Sequence, residues 1–141
     1  MSLFILTIGS YDDREDVFYS TTASHHIFND LKWFSSFDRI QGQRTFKTAT
    51  RTDLRTLARG TVKMTVGPDT WTLSDAYYVP GAPANFLSAW KLNIKGGVIF
   101  ESSHDRLVYK KSGDVVCRLV RGAKSCGRVP EAQPFGHEFY F

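Results

Sequence analysis

The chain has 141 residues, 42% of them hydrophobic and 23% charged, with a net charge of +4. That length fits one domain, and that balance excludes an intrinsically disordered segment. The positive excess permits an anionic partner without requiring one, and the two cysteines, Cys117 and Cys126, form no Cys-x-x-Cys pair, which argues against a zinc ribbon.

The first apolar run, residues 3–8, is interrupted by Thr7 and is far shorter than the ~20 residues that cross a bilayer. No basic stretch precedes it, as a signal peptide would need, so it reads as an opening edge strand and no membrane partner is expected. Residues 12–16 carry Asp12, Asp13, Glu15 and Asp16 around Arg14 and read as a turn or linker. Residues 1–16 are therefore an N-terminal strand and acidic linker, and residues 17–141 a single core.

Val17-Phe18-Tyr19 is a compact β-prone run, and residues 20–24 have no apolar period and read as a loop. Asp30 is a candidate N-cap. The spacing of Leu31, Trp33, Phe34 and Phe37 predicts one or two helical turns behind it. Residues 44–50 and 55–66 read as strands of a hairpin with Asp53 between them, and Arg59-Gly60 as a bulge in the second strand. Gly67-Pro68-Asp69 is a turn. Trp71-Thr72-Leu73 and Ala76-Tyr77-Tyr78-Val79 are predicted as separate strands, the latter stopped by Pro80-Gly81. Residues 85–92 are predicted as the one clear helix, ended by Gly96-Gly97. Residues 98–100, 107–109, 115–120 and 139–141 complete a set of nine or ten short strands, with a hairpin turn at Lys111-Ser112-Gly113-Asp114. Such a series predicts a closed or sandwich-like all-β fold.

Three stretches carry a resemblance. Residues 17–27 end in Ala23-Ser24-His25-His26-Ile27. Leu73-Ser74-Asp75-Ala76-Tyr77-Tyr78-Val79-Pro80-Gly81 is the second, and Asn85-Phe86-Leu87-Ser88-Ala89-Trp90-Lys91-Leu92 the third. In order and spacing they resemble the protease domain of copia-type retrotransposon polyproteins. That family reads apolar-apolar-Asp-Ser-Gly-Ala-Ser-x-His, then Leu-x-Asp-Val-Leu-Tyr-Val-Pro-Gly, then Asn-Leu-Leu-Ser-x-x-x-Leu. The resemblance implies a retropepsin-like acid-protease barrel with a flap hairpin, and usually a symmetric dimer with the active site on its two-fold axis.

The resemblance also places the family's catalytic Asp at Ser20. Two carboxylates sharing one proton are needed there, one to take a proton from water and one to polarise the scissile carbonyl. A hydroxyl cannot hold that proton. The following Ser and Gly fall on Thr21 and Thr22, and a β-branched residue crowds a backbone that glycine leaves open. The expectation is a catalytically inactive domain, a pseudoprotease, that binds a second copy of itself or an unknown protein or extended peptide. Loss of the Asp removes turnover but leaves strand-like recognition possible. Ser20, Thr21, Thr22 and Ala23 are candidate floor residues of a peptide groove, and Thr50, Arg51, Thr52 and Asp53 candidates from the flap. Asp16 and Asp30 are the acids to weigh as substitutes for the missing one, the alternative being an active aspartic endopeptidase.

Other patterns have plainer readings. Ser20 or Ser24 beside His25 or His26 suggests a nucleophile pair, but sequence neighbours rarely hold that geometry, and packing is the expected role. His25, His26, His104 and His137 are too scattered for a metal site, and no metal or cofactor is expected. Arg44, Lys47, Arg51, Arg55, Arg59 and Lys63 make a basic stripe along the hairpin. It reads first as a solvated face that guards against sheet aggregation, and alternatively as a nucleic-acid contact. The apolar ends, residues 3–8 and 138–141, suit either strand exchange in a homodimer or pairing within one chain. Free thiols point to a reducing, intracellular compartment, cytoplasmic or nuclear.

Overall fold

The computed structural model describes residues 17–21, 23–47, 53–66, 69–101, 103–104, 106–118 and 138–141. These residues are mostly strand, as the sequence pattern requires. In chain order they are β1 (Val17–Ser20), β2 (His26–Phe28), β3 (Phe34–Lys47), β4 (Asp53–Val66), β5 (Asp69–Tyr78) and β6 (Asn85–Ser88). A short helix follows, α1 (Ala89–Lys91), running into a π-helical turn, Leu92–Gly96. Then come β7 (Val98–Glu101), β8 (Arg106–Tyr109), β9 (Val115–Arg118) and β10 (Glu138–Tyr140). The larger sheet runs β1-β6-β2-β5-β4-β3, with β10 also on β5, and the smaller runs β7-β8-β9.

β5 is one continuous strand where two were predicted, and it changes both partner and face part-way along. Its first half pairs with β10 in parallel (Thr70 with Glu138, Thr72 with Tyr140), and its second half with β2 (Ala76 with His26, Tyr78 with Phe28). Trp71 and Leu73 are buried before the change and Ala76 and Tyr77 after it, so the inward parity shifts. The ladder with β4 shows why. Gly60 faces Ala76 and Val62 faces Leu73, so Ser74 and Asp75 of β5 lie opposite Thr61 alone. The predicted irregularity at Arg59-Gly60 exists, but β5 contributes the extra residue, and Asp75 takes φ 64° there. Aspartate is among the few non-glycine residues that tolerate this left-handed backbone, because its short polar side chain bonds locally.

The hairpin is longer than predicted. β3 and β4 have 14 residues each, and β3 begins where a helix was expected. Asp30 does cap a turn, its side chain accepting from the Lys32 N–H at 2.9 Å, but that turn is only the 3₁₀ segment Leu31–Trp33. From Phe34 the chain pairs with β4 (Phe34 with Val62), which competes successfully with a short helix. Between Arg39 and Arg44 four residues of β3 stand against the single Leu57 of β4, so β3 carries a bulge there. Gly60 lets the strands pass closely: a Cβ on it would lie 2.1 Å from the Ser36 carbonyl oxygen.

Residues 85–88 are also a correction: they are strand β6, and helix starts only at Ala89. All four of Asn85, Phe86, Leu87 and Ser88 are buried, because β6 lies between β1 and β2 with apolar groups on both faces. The helical turn then ends at Gly97, φ 69°, as the glycine pair predicted.

Two apolar clusters result. The first joins Val17, Phe28, Val62, Trp71, Leu73, Leu87 and Leu92 to Val98, Leu107, Tyr109 and Val116 of the small sheet and to Phe141. The second, on the other face of β6, contains Ala23, Ile27, Tyr77, Val79, Ala82, Ala84 and Phe86, with Ile40 and Leu54 of the hairpin packed on it. The C-terminal strand is anchored within the chain: Phe139 stacks on Tyr109 at 4.3 Å, Phe141 sits edge-on to Trp71 at 4.8 Å, and the Phe141 N–H donates to Thr72 O at 2.7 Å. The strand expected at residues 3–8 lies outside the described residues.

Candidate functional site

The loop that leaves β1 at Ser20 and enters β2 at His26 folds over the end of β6, which pairs with β1 in parallel and with β2 in the antiparallel sense. Ser20 and Ala23 are buried and Thr21 is exposed. The Ser20 hydroxyl accepts from the Ala23 N–H at 3.1 Å, closing the loop on itself. Ser88, at the end of β6, donates its hydroxyl to Ala23 O at 2.6 Å and accepts from the Lys91 N–H at 3.2 Å. The Ser88 N–H donates to His26 Nδ1 at 3.0 Å. As an acceptor that nitrogen carries no proton, so the ring's own N–H is at Nε2. A second bracket supports the far side: Asn85 Oδ1 accepts from the Asn29 N–H at 2.8 Å, and Asn29 Nδ2 donates to Ala82 O at 3.1 Å. Two hydroxyls, of Ser20 and Ser88, thus hold Ala23 in the loop, while the Asn29 and Asn85 amides tie the far end of β2 to β6 and to Ala82.

The hairpin lies against this floor. Leu54 and Ile40 pack on the cluster that contains Ala23, and a Cβ on Gly81 would sit 3.3 Å from Leu54 Cδ2. The structure therefore brings Ser20, Thr21 and Ala23 together at one loop. Thr22, Thr50, Arg51 and Thr52 lie outside the described residues, and Asp53 opens β4 opposite Lys47.

Of the two candidate substitute acids, Asp30 is engaged as the cap of Leu31–Trp33, and Asp16 is outside the described residues. Ser24 Oγ and His25 Nδ1 are 2.8 Å apart while the His25 ring stands edge-on to Tyr77 at 4.7 Å. His104 sits in the β7–β8 turn with Glu101. Among the described residues no three His, Cys, Asp or Glu gather.

Of the basic stripe, Arg55, Arg59 and Lys63 share one exposed side of β4, and Arg44 and Lys47 stand opposite Thr56 and Asp53 in the β3–β4 ladder. Arg59 stands directly opposite Asp38 and forms an ion pair with Asp75. A cleft of about 420 Å³ opens beside it, lined by Asp38, Arg39, Ile40, Arg59, Gly60, Thr61 and Asp75.

Asp75 and Lys91 were not singled out as site residues from the sequence. The Lys91 ammonium, its side chain only 7% exposed, reaches Asp75 Oδ2 at 2.7 Å and Asp75 O at 3.2 Å. Burial pushes the Asp75 carboxyl up, but hydrogen bonds and charge from Lys91 and Arg59 outweigh it and hold the group below the ordinary aspartate range. Nothing local in the sequence marks this pair; its residues are 16 apart, on a strand and a helix.

No helix among the described residues is long and apolar enough to cross a membrane. No curated protein and no solved structure matches the chain. A family model, the Pol polyprotein beta-barrel domain, matches residues 18–97, which run from β1 through the cap of the helical turn and so contain the loop, its brackets, the hairpin and the Asp75 cluster. The match covers more than half of the chain, and the protein belongs to the Pol polyprotein beta-barrel domain family.

Proposed function

We propose that this retrotransposon-derived domain is built on a retropepsin-like plan, has lost catalysis, and acts by holding an extended peptide or a second copy of itself. The observation that carries the reading is Ser20: buried at the end of β1, with its hydroxyl turned to the Ala23 N–H, at the position where the resemblance calls for a proton-sharing carboxylate. A serine hydroxyl does not ionise near neutrality and cannot be the base that takes a proton from water. The bracketing of the loop by Ser88 and His26 supports a preserved scaffold, and the hairpin over the Ala23 floor supports a covered, strand-shaped binding site.

The test uses the whole chain. Peptide cleavage is followed between acid and neutral pH with and without an active-site-directed aspartic-protease inhibitor, and the solution mass and binding to an array of extended peptides are measured in parallel. The expected result is no inhibitable turnover, together with peptide binding or a dimer. Inhibitable turnover overturns the inactive reading; a monomer that binds no peptide overturns the binding reading.

A further inference from the structure

A run of polar contacts joins the β3–β4 hairpin to the loop at Ser20. Arg59, on β4, pairs with the carboxylate of Asp75. Asp75, fixed at φ 64° in the bulge of β5, is gripped from the other side by the buried Lys91 ammonium at two points. The Lys91 N–H donates to Ser88 Oγ, and the same hydroxyl donates to Ala23 O. The one hydroxyl thus accepts from Lys91 and donates to Ala23, and each of the two bonds polarises the other. A second route leaves the same arginine: its guanidinium lies 5.8 Å from the centre of the Tyr77 ring, and the His25 ring meets Tyr77 edge-on at 4.7 Å. Both routes start at Arg59 and end inside the loop.

We propose that Asp75 and Arg59 form a coupling latch that links the position of the hairpin to the order of the Ser20–Ser24 loop. The reading is independent of whether that loop performs chemistry. Three features make it a latch rather than a simple brace. Lys91 is buried, with its side chain only 7% exposed, and holds Asp75 from the core side. Asp75 sits in a register shift of the ladder with a left-handed backbone, φ 64°. Arg59 has a side chain 52% exposed, so it is the one arm that solvent, or a partner's carboxylate, can pull away.

Amide hydrogen exchange on the intact chain tests the proposal. The reporting amides are that of Lys91, bonded within the run, and those of Ala23 and Ser88, bonded to Ser20 and His26 at the loop where the run ends; the control amides are Tyr109 in β8 and Gly113 in the β8–β9 turn. Arg59→Gln, a surface change, is expected to speed exchange at the reporting amides about tenfold while leaving the controls unchanged. Lys91→Met is expected to speed exchange both at the reporting amides and in the hairpin, since coupling acts in both directions. At the reporting amides the double variant should show less than the product of the two single effects. Should Lys91→Met fail to fold, Asp75→Asn, which tolerates the same backbone, takes its place. Loop exchange in Arg59→Gln within about twofold of the parent, or strict multiplication in the double variant, overturns the latch.

Discussion

Replacing Gly60 with alanine tests the hairpin geometry most directly. The new Cβ would lie 2.1 Å from the Ser36 carbonyl oxygen, 2.6 Å from Phe37 Cα and 2.8 Å from Phe37 Cβ. Ordinary carbon contacts sit at about 3.5–4.0 Å. The nearest two atoms are backbone, so no rotamer change relieves the clash; β3 and β4 must separate by roughly 1 Å or more. Separation disrupts the pairs Ser36–Thr61, Phe37–Gly60 and Asp38–Arg59. Losing two or three backbone hydrogen bonds at about 1 kcal/mol each costs about 2–3 kcal/mol. Reduced entropy of the unfolded chain returns about 0.4–1 kcal/mol. The net loss of about 1–3 kcal/mol is a large part of a typical 5–15 kcal/mol total. Urea unfolding followed by tryptophan fluorescence should show a lower midpoint with an unchanged slope. Gly113→Ala is the control: at φ 75° with nothing within 4 Å of the added atom, it should cost only the backbone strain of about 1–2 kcal/mol. A Gly60→Ala loss below about 0.5 kcal/mol would refute the close crossing of β3 over β4.

Other consequences follow from buried polar groups. The Asp75 carboxyl is held below its ordinary range in the folded chain, so its contribution is complete above the unfolded aspartate value and disappears as pH falls through the folded one. Asp75→Asn should flatten the acid limb of a stability–pH curve; parallel curves for parent and variant would sink this assignment. Tyr109→Phe removes the hydroxyl that accepts from Trp71 Nε1 at 2.9 Å and donates to Asp69 Oδ2 at 2.7 Å, and thermal unfolding should register a loss of about 1–3 kcal/mol. Asn85→Ala withdraws the acceptor of the buried Asn29 N–H, with a similar expected loss of about 1–3 kcal/mol in urea unfolding.

The fold was legible where one face of an element meets water or a turn residue punctuates it. The stop at Pro80-Gly81 and the β8–β9 turn with Gly113 at φ 75° are of this kind. It was illegible where both faces are covered. Asn85-Phe86-Leu87-Ser88 shows no alternation because each of its side chains is buried, and a short run without alternation can be taken for helix. The candidate loop was legible through its motif, and Ser88 and His26 stood within quoted motifs. Their contact across 62 residues was not, nor was Asp75–Lys91. Spacing along a chain carries local periodicity, and these bonds exist only once β6 is placed between β1 and β2.

The matched segment, residues 18–97, contains the whole candidate site yet not the whole support of it. Phe28, Trp71, Leu73, Leu87 and Leu92 share their cluster with Val98, Leu107, Tyr109, Val116 and Phe141, all of which lie beyond that segment. Full burial of an aliphatic or aromatic side chain is worth about 1.5–3 kcal/mol, so withdrawing five removes about 7.5–15 kcal/mol, comparable to the roughly 5–15 kcal/mol by which a domain is stable. A chain ending at residue 97 is therefore expected to lose cooperative unfolding and to expose the indole of Trp71, which is fully buried in the parent. Chemical denaturation with a tryptophan emission readout distinguishes the cases. A shortened chain that unfolds cooperatively near the parent's midpoint would show that the larger sheet supports the site alone, and that the small sheet is an accessory to it.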